Sequence, residues 1–204
     1  MSRICGTFYL ILFAQIAILQ IIMWKRAIMR NIFKYLCIIL AIILLDQFSK
    51  DALILLITGQ VPAFAPAWEL IPVPYLMAHV TDFFNVVFTW NPGTSFSMFR
   101  MLGESAPWLI TIITAGVIGF ILYYLFARAS DFERVPLALI AGGALGNLID
   151  RVRFGAVVDF LDFHIGGYHW PAFNVADAFI CIGVGLYILN WFIARRRCLR
   201  ANKQ

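Results

Sequence analysis

Four stretches of this chain are long and apolar enough to cross a bilayer, and that limits its fold more than any other feature. A helix needs about 20 mostly apolar residues to span the hydrocarbon. The runs from Phe33 to Ile57, Ala106 to Phe126, Val135 to Ile149 and Val175 to Ala194 meet or approach that length. Lipid offers the backbone no hydrogen bonds, so each run has to be helical. The composition agrees, with 62% hydrophobic and 13% charged residues, well outside the range of soluble domains. Between the runs, segment 58–104 carries several prolines and a strand-like stretch from Phe83 to Trp90 that ends at Asn91-Pro92-Gly93. Segment 152–173 is rich in β-branched and aromatic residues and turns at Gly166-Gly167. The expected class is an all-α integral membrane protein of four transmembrane helices with a small extracytoplasmic β-structured flap.

A further apolar stretch, from Phe8 to Trp24, precedes the four runs. Residues 1–28 are read as an N-terminal extension, either an extra hydrophobic helix or an artefact of the assigned start, and residues 29–204 as the four-helix membrane domain. Lys and Arg near helix ends set orientation. They gather before the first run, at Lys25, Arg26, Arg30 and Lys34, and after the last, at Arg195, Arg196, Arg197, Arg200 and Lys203. Both flanks of the four-helix domain are therefore expected in the cytoplasm, with segments 58–104 and 152–173 facing outward. The net charge of +5, from 16 basic and 11 acidic residues, follows from this asymmetry and implies no nucleic acid. Cys5, Cys37, Cys181 and Cys198 are scattered, without the spacing of a metal site or a disulfide framework.

An ionisable group inside a membrane helix costs on the order of 3 kcal/mol unless paired or wetted, which makes each one a candidate for function. Asp46 and Lys50 stand four apart on one helix face and read as an ion pair that positions other groups or meets a substrate. Asn91 with Gly93 is turn chemistry, or an amide aimed at a substrate backbone. Gly142 to Gly146 allow close helix packing. Directly after them Asn147 and Asp150 share a face, and Asp150, near a helix C-terminus, calls for a cation, either Arg151 or Lys50. Asp159, in Val157-Val158-Asp159-Phe160, has apolar surroundings that desolvate a carboxylate and raise its pKa. Strand alternation points Asp162 the other way, one of the two toward the helices and the other out. Asn174 and Asp177 open the last helix as N-cap and third helical residue, a capping box whose dipole favours the charged acid. His79, His164 and His169 lack metal-ligand spacing, and Thr94-Ser95-Phe96-Ser97 has no base placed to activate a serine.

Asp150, Asp159 and Asp177 all fall at one membrane boundary. Two carboxylates brought close share a proton, so that one serves as base toward water while the other protonates a carbonyl, which is aspartic peptidase chemistry and needs neither metal nor cofactor. The residues alone leave Asp150 a rival for that pair. A carrier also places acids in membrane helices, but near the midplane and between internal repeats, and no repeat is evident.

In order along the chain, Asp46-x-x-x-Lys50, Asn91-x-Gly93, Gly142-Gly143-Ala144-Leu145-Gly146-Asn147-x-x-Asp150-Arg151, Val157-Val158-Asp159-Phe160 and Pro171-Ala172-Phe173-Asn174-Val175-Ala176-Asp177 resemble the motifs of the bacterial lipoprotein signal peptidases, signal peptidase II. The resemblance runs from about Met29 to Ala194. It implies an aspartic endopeptidase of the bacterial cytoplasmic (inner) membrane that removes signal peptides from prolipoproteins, cutting N-terminal to a diacylglyceryl-modified cysteine. It implies Asp159 and Asp177, 18 residues apart, as the catalytic pair, and no cofactor. Asp46, Lys50, Asn91, Gly93, Asn147, Asp150, Arg151 and Asn174 become supporting or substrate-binding residues. The implied partners are lipid-modified prolipoproteins and membrane lipids, met by a multi-pass monomer with its active site at the outer face.

Overall fold

A computed structural model describes residues 32–61, 63–64, 75–93 and 106–201. The extension read over residues 1–28 and the hydroxyl run at 94–97 lie outside the described residues. The chain divides into two compact units, Met1–Cys37 and Ile38–Gln204. In the first, residues 32–37 are helical; the second holds all other described residues.

Four helices among the described residues are long and apolar enough to cross a membrane: α1 (Ile32–Thr58), α2 (Ala106–Ala127), α3 (Asp131–Phe154) and α4 (Val175–Ala201). Helix α3 extends beyond its apolar run at both ends, which leaves residues 128–130 as its connection to α2. The cause is capping. The Ser130 N–H and Oγ both donate to Glu133 Oε2, at 2.8 and 2.6 Å. At the other end Gly155, at φ 76°, donates its N–H to Arg151 O. A left-handed residue there is cheap only for glycine. Glu133 Oε1 also accepts from the hydroxyls of Tyr124 on α2 and Tyr187 on α4, which gathers three helices at the end remote from Asp159.

Strands from segments 58–104 and 152–173 pair into one antiparallel sheet in the order β1 (Tyr75–Thr81), β2 (Phe84–Asn91), β3 (Val157–Ile165), β4 (Tyr168–His169). A cluster of Ile54, Phe88, Phe154, Ala156, Val158 and Phe160 joins α1, β2, the end of α3 and β3. The Trp90 ring stands edge-on to Phe88, with centroids 5.0 Å apart, and tilts over Phe154 at 5.6 Å. Full burial of a side chain such as Phe88 is worth about 2–3 kcal/mol, so the sheet is fastened to the helix ends rather than tethered by loops. Elsewhere the helices turn large apolar side chains outward, among them Phe48, Leu56, Ile112 and Phe120, as a lipid solvent requires.

Helix α3 is the central helix, and its glycines set how near α4 comes. A Cβ on Gly143 would collide with Ala176 O, and one on Gly146 would lie 2.6 Å from Asp46 Oδ2. Both are backbone or buried contacts that cannot swing aside. Gly143→Val should therefore destabilise the protein by about 1–3 kcal/mol through overpacking, read as a lower melting temperature in detergent. Gly116→Ala, at a position with nothing within 4 Å, is the control and should leave that temperature unchanged.

Candidate active site

The site begins with a lysine that has no contact with solvent. Lys50 Nζ lies 2.8 Å from Asp46 Oδ2 and 2.8 Å from Asp150 Oδ2, and all three side chains are fully buried. The same ammonium donates to Asn147 Oδ1 at 3.1 Å. Of the two cations considered for Asp150, Lys50 is the one in contact. Each carboxylate also takes a backbone N–H: Ala176 N donates to Asp46 Oδ1 at 2.9 Å and Val158 N to Asp150 Oδ2 at 3.1 Å. Those two amides immediately precede Asp177 and Asp159. One cation thus holds the start of α4 and the start of β3 to α1 and α3.

Two asparagines then place the acids. Asn174 caps α4, its Oδ1 accepting the Asp177 N–H at 2.9 Å while its own N–H faces Asp177 Oδ2 at 3.4 Å. Its Nδ2 donates to Asp159 Oδ1 at 2.7 Å and also lies 3.1 Å from Asn147 Oδ1 and Val158 O. Asn147 Nδ2 donates to Asp177 Oδ1 at 2.7 Å. From β2, Asn91 Nδ2 donates to Asp159 Oδ2 at 3.0 Å while its Oδ1 accepts the N–H of Gly93, at φ 74°. Asn91 is thus the turn residue of one reading, and its amide is directed at Asp159.

Asp159 is 2% exposed. Burial, and next the Asp177 carboxylate, push its pKa up to about 7, against the pull of the Asn91 and Asn174 amides and of Lys50. The charge balance makes this reasonable: Asp46, Asp150, Asp159 and Asp177 stand against Lys50 and Arg151, so full ionisation leaves two uncompensated negative charges. The Arg151 guanidinium interacts electrostatically with Asp177, Asp150 and Asp159. Its Nη1 donates to Asn147 O at 3.3 Å, and its Nε is buried without a hydrogen-bond partner among the described residues.

Asp46, Lys50, Asn91, Asn147, Asp150, Arg151, Asp159, Asn174 and Asp177 therefore lie in one connected cluster, with Gly93 beside Arg151, its would-be Cβ 3.6 Å from Nη2. Asp150 is engaged by Lys50, Gln47 and a backbone amide, whereas Asp159 and Asp177 face each other electrostatically. Asp162 departs from expectation. It does not point out but is buried, because Asn85 and His169 bind it from both neighbouring strands. Gln47 was missed. Its Nε2 donates to Asp150 Oδ1 at 2.8 Å and its Oε1 accepts from Arg153 Nη1 at 2.9 Å; an amide next to Asp46 within an apolar run was the available signal. Replacing Lys50 with Met leaves two buried carboxylates unpaired and should cost about 3–5 kcal/mol, measured by thermal unfolding in detergent, with cleavage lost in parallel.

A family model described as Signal peptidase (SPase) II matches residues 38–193. A lipoprotein signal peptidase of Polynucleobacter necessarius subsp. necessarius (strain STIR1) is 40% identical over 160 residues, 78% of this chain and 88% of its own. One from Syntrophus aciditrophicus (strain SB) is 43% identical over 157 residues, 73% of this chain and 86% of its own. A bacterial membrane enzyme solved by the in meso method at 2.3 Å resolution superposes with a TM-score of 0.59 at 28% identity, covering 79% of this chain and 88% of that one.

Proposed function

The chain belongs to the signal peptidase II family, and from that premise we propose that Asp159 and Asp177 are the catalytic pair with which it removes signal peptides from prolipoproteins. It is a membrane aspartic peptidase and a multi-pass protein of the bacterial inner membrane. The observation that carries the assignment of the pair is their setting: Asp159 buried with a pKa near 7 and coupled to Asp177, the two carboxylates linked through Asn174 and Asn147.

In the first step Asp177 takes a proton from water as the water oxygen bonds to the scissile carbonyl carbon, and Asp159 gives its proton to the carbonyl oxygen. In the second, the resulting gem-diol returns a proton to Asp159, the C–N bond breaks, and the departing nitrogen takes the proton held by Asp177. The carboxyl product and the free amine leave the pair as it began. Each proton transfer is worth about 10²–10⁴-fold. Arg151, whose buried Nε has no hydrogen-bond partner among the described residues, can hold the substrate backbone. The substrate is the segment before a diacylglyceryl-modified cysteine, whose acyl chains share the lipid solvent of the helices. The basic flanks support cytoplasmic termini for the four-helix domain and an outward site, in a chain acting as a monomer.

The test is incubation of the purified protein in detergent with a synthetic diacylglyceryl-modified prolipoprotein and its unlipidated counterpart. Cleavage before the lipidated cysteine alone is expected, with losses of at least about 10³-fold in Asp159→Asn and in Asp177→Asn; substantial turnover by either variant rules out the pair. The pH profile is a separate prediction. Because Asp159 must enter the cycle protonated and its pKa in the free protein is raised to about 7, kcat/KM should hold below that value and fall as the pH rises through it. A profile flat to pH 9 would assign the shared proton elsewhere.

A further inference from the structure

One buried carboxylate has no part in that chemistry. Asp162 lies three residues beyond Asp159 on β3, on the opposite face of the strand, and is 6% exposed. Its Oδ2 accepts from Asn85 Nδ2 on β2 at 2.9 Å, and both its oxygens lie 2.9 Å from His169 Nδ1 on β4. Asn85 Oδ1 is in turn 2.7 Å from His79 Nδ1 on β1. An amide oxygen can only accept, so His79 Nδ1 carries the hydrogen. The chain His79, Asn85, Asp162, His169 thus crosses all four strands. Burial raises the pKa of Asp162, but the bonds from Asn85 and His169 outweigh it and hold the carboxyl below its ordinary range.

Resting on the reading of Asp159 as catalytic, we propose that Asp162 is a positioning residue: through Asn85 it sets the β2–β3 register in which Asn91 meets Asp159. The ladder itself does not secure that register. It runs Phe84 opposite Phe163, Asn85 opposite Asp162 and Val86 opposite Leu161, then shifts, and resumes with Thr89 opposite Asp159, Trp90 opposite Val158 and Asn91 opposite Val157. Continued without the shift, the outer pairing would set Asp159 opposite Phe88 and carry Asn91 one residue past its place. A one-residue slip reverses the face of every side chain, so the Asn91 amide would leave the carboxylate it serves. The bulge adds one residue on β2 between two asparagine-to-aspartate bonds, Asn85 to Asp162 on the outer side and Asn91 to Asp159 on the inner. With the outer pairing held by its buried bond and the two histidines, that single extra residue brings Asn91 to Asp159; were the outer pairing free to slip, the offset would no longer be set.

The experiment compares Asp162→Asn with the exchange variant N85D/D162N in the full-length protein. The exchange keeps each partner of the clamp: the amide at position 162 donates to the carboxylate at 85 and accepts from His169 through its one oxygen in place of two, and the carboxylate accepts from His79. In Asp162→Asn, kcat should fall about tenfold with KM within about twofold, as for a small misplacement of a catalytic group. Its alkaline limb should also move to higher pH, as in Asn91→Ala, because the lost Asn91 bond is one that lowers the proton affinity of Asp159. The exchange variant should restore rate and limb together. A purely structural Asp162 would reduce the folded fraction and leave the limb of the surviving enzyme unmoved, which overturns the proposal. So does an exchange variant that folds with a displaced limb, or one that does not fold. Amide hydrogen exchange at Trp90 and Asn91 should quicken in Asp162→Asn and recover in the exchange variant. That readout follows the clamp even if the wild type leaves lipidated substrate uncut, an outcome that would remove the functional reading and not the register clamp.

Discussion

The ammonium group of Lys50, sealed from solvent between Asp46 and Asp150, is the point from which the rest of the site is measured. Charges in such surroundings repay their desolvation only when the geometry is good and the remaining hydrogen-bonding capacity is used. Both conditions hold, because each carboxylate spends an oxygen on a backbone amide, one at the head of α4 and one at the head of β3. Electrostatic neutralisation and positional control are therefore the same interaction. Helices that meet in lipid gain little from the hydrophobic effect, so a polar lock of this kind does what core packing does in a soluble enzyme.

Beside that lock α3 comes close to α4 and to α1, which explains the glycines. Gly143 faces the carbonyl of Ala176 and Gly146 faces the carboxylate of Asp46, so the small residues make room for polar groups as much as for backbone. The lipid-facing sides of the helices are tolerant by contrast; Gly116 and Gly119 meet nothing. Tight specification is thus concentrated on the interior of α3 and on the two elements that follow it.

Much of this was legible in the chain. Four apolar runs gave the spans, and the rule that membrane-embedded charges need partners singled out Asp46, Lys50, Asp150 and Asp177 before any geometry was known. The capping pattern at Asn174 and Asp177 was readable because it is local. What escaped was non-local. Whether Arg151 or Lys50 answers Asp150 depends on which helices touch, and the role of Gln47 depends on a residue 103 positions away. The burial of Asp162 could not follow from strand alternation alone, since alternation separates two faces without saying that both are covered. The pairing of segments 58–104 and 152–173 into one sheet was invisible for the same reason.

The Asn174 and Asp177 pair carries a further implication for how such an enzyme tolerates change. Residues that perform chemistry are commonly a burden on the fold, so that removing them stabilises it. Here the proposed base also caps the start of its own helix, exchanging hydrogen bonds with the residue that begins it. Activity and foldedness then draw on the same atoms. Variants that keep the fold while discarding the chemistry become scarce, and inactive relatives of this chain should be recognisable by a rebuilt first turn in the last helix as well as by a missing acid.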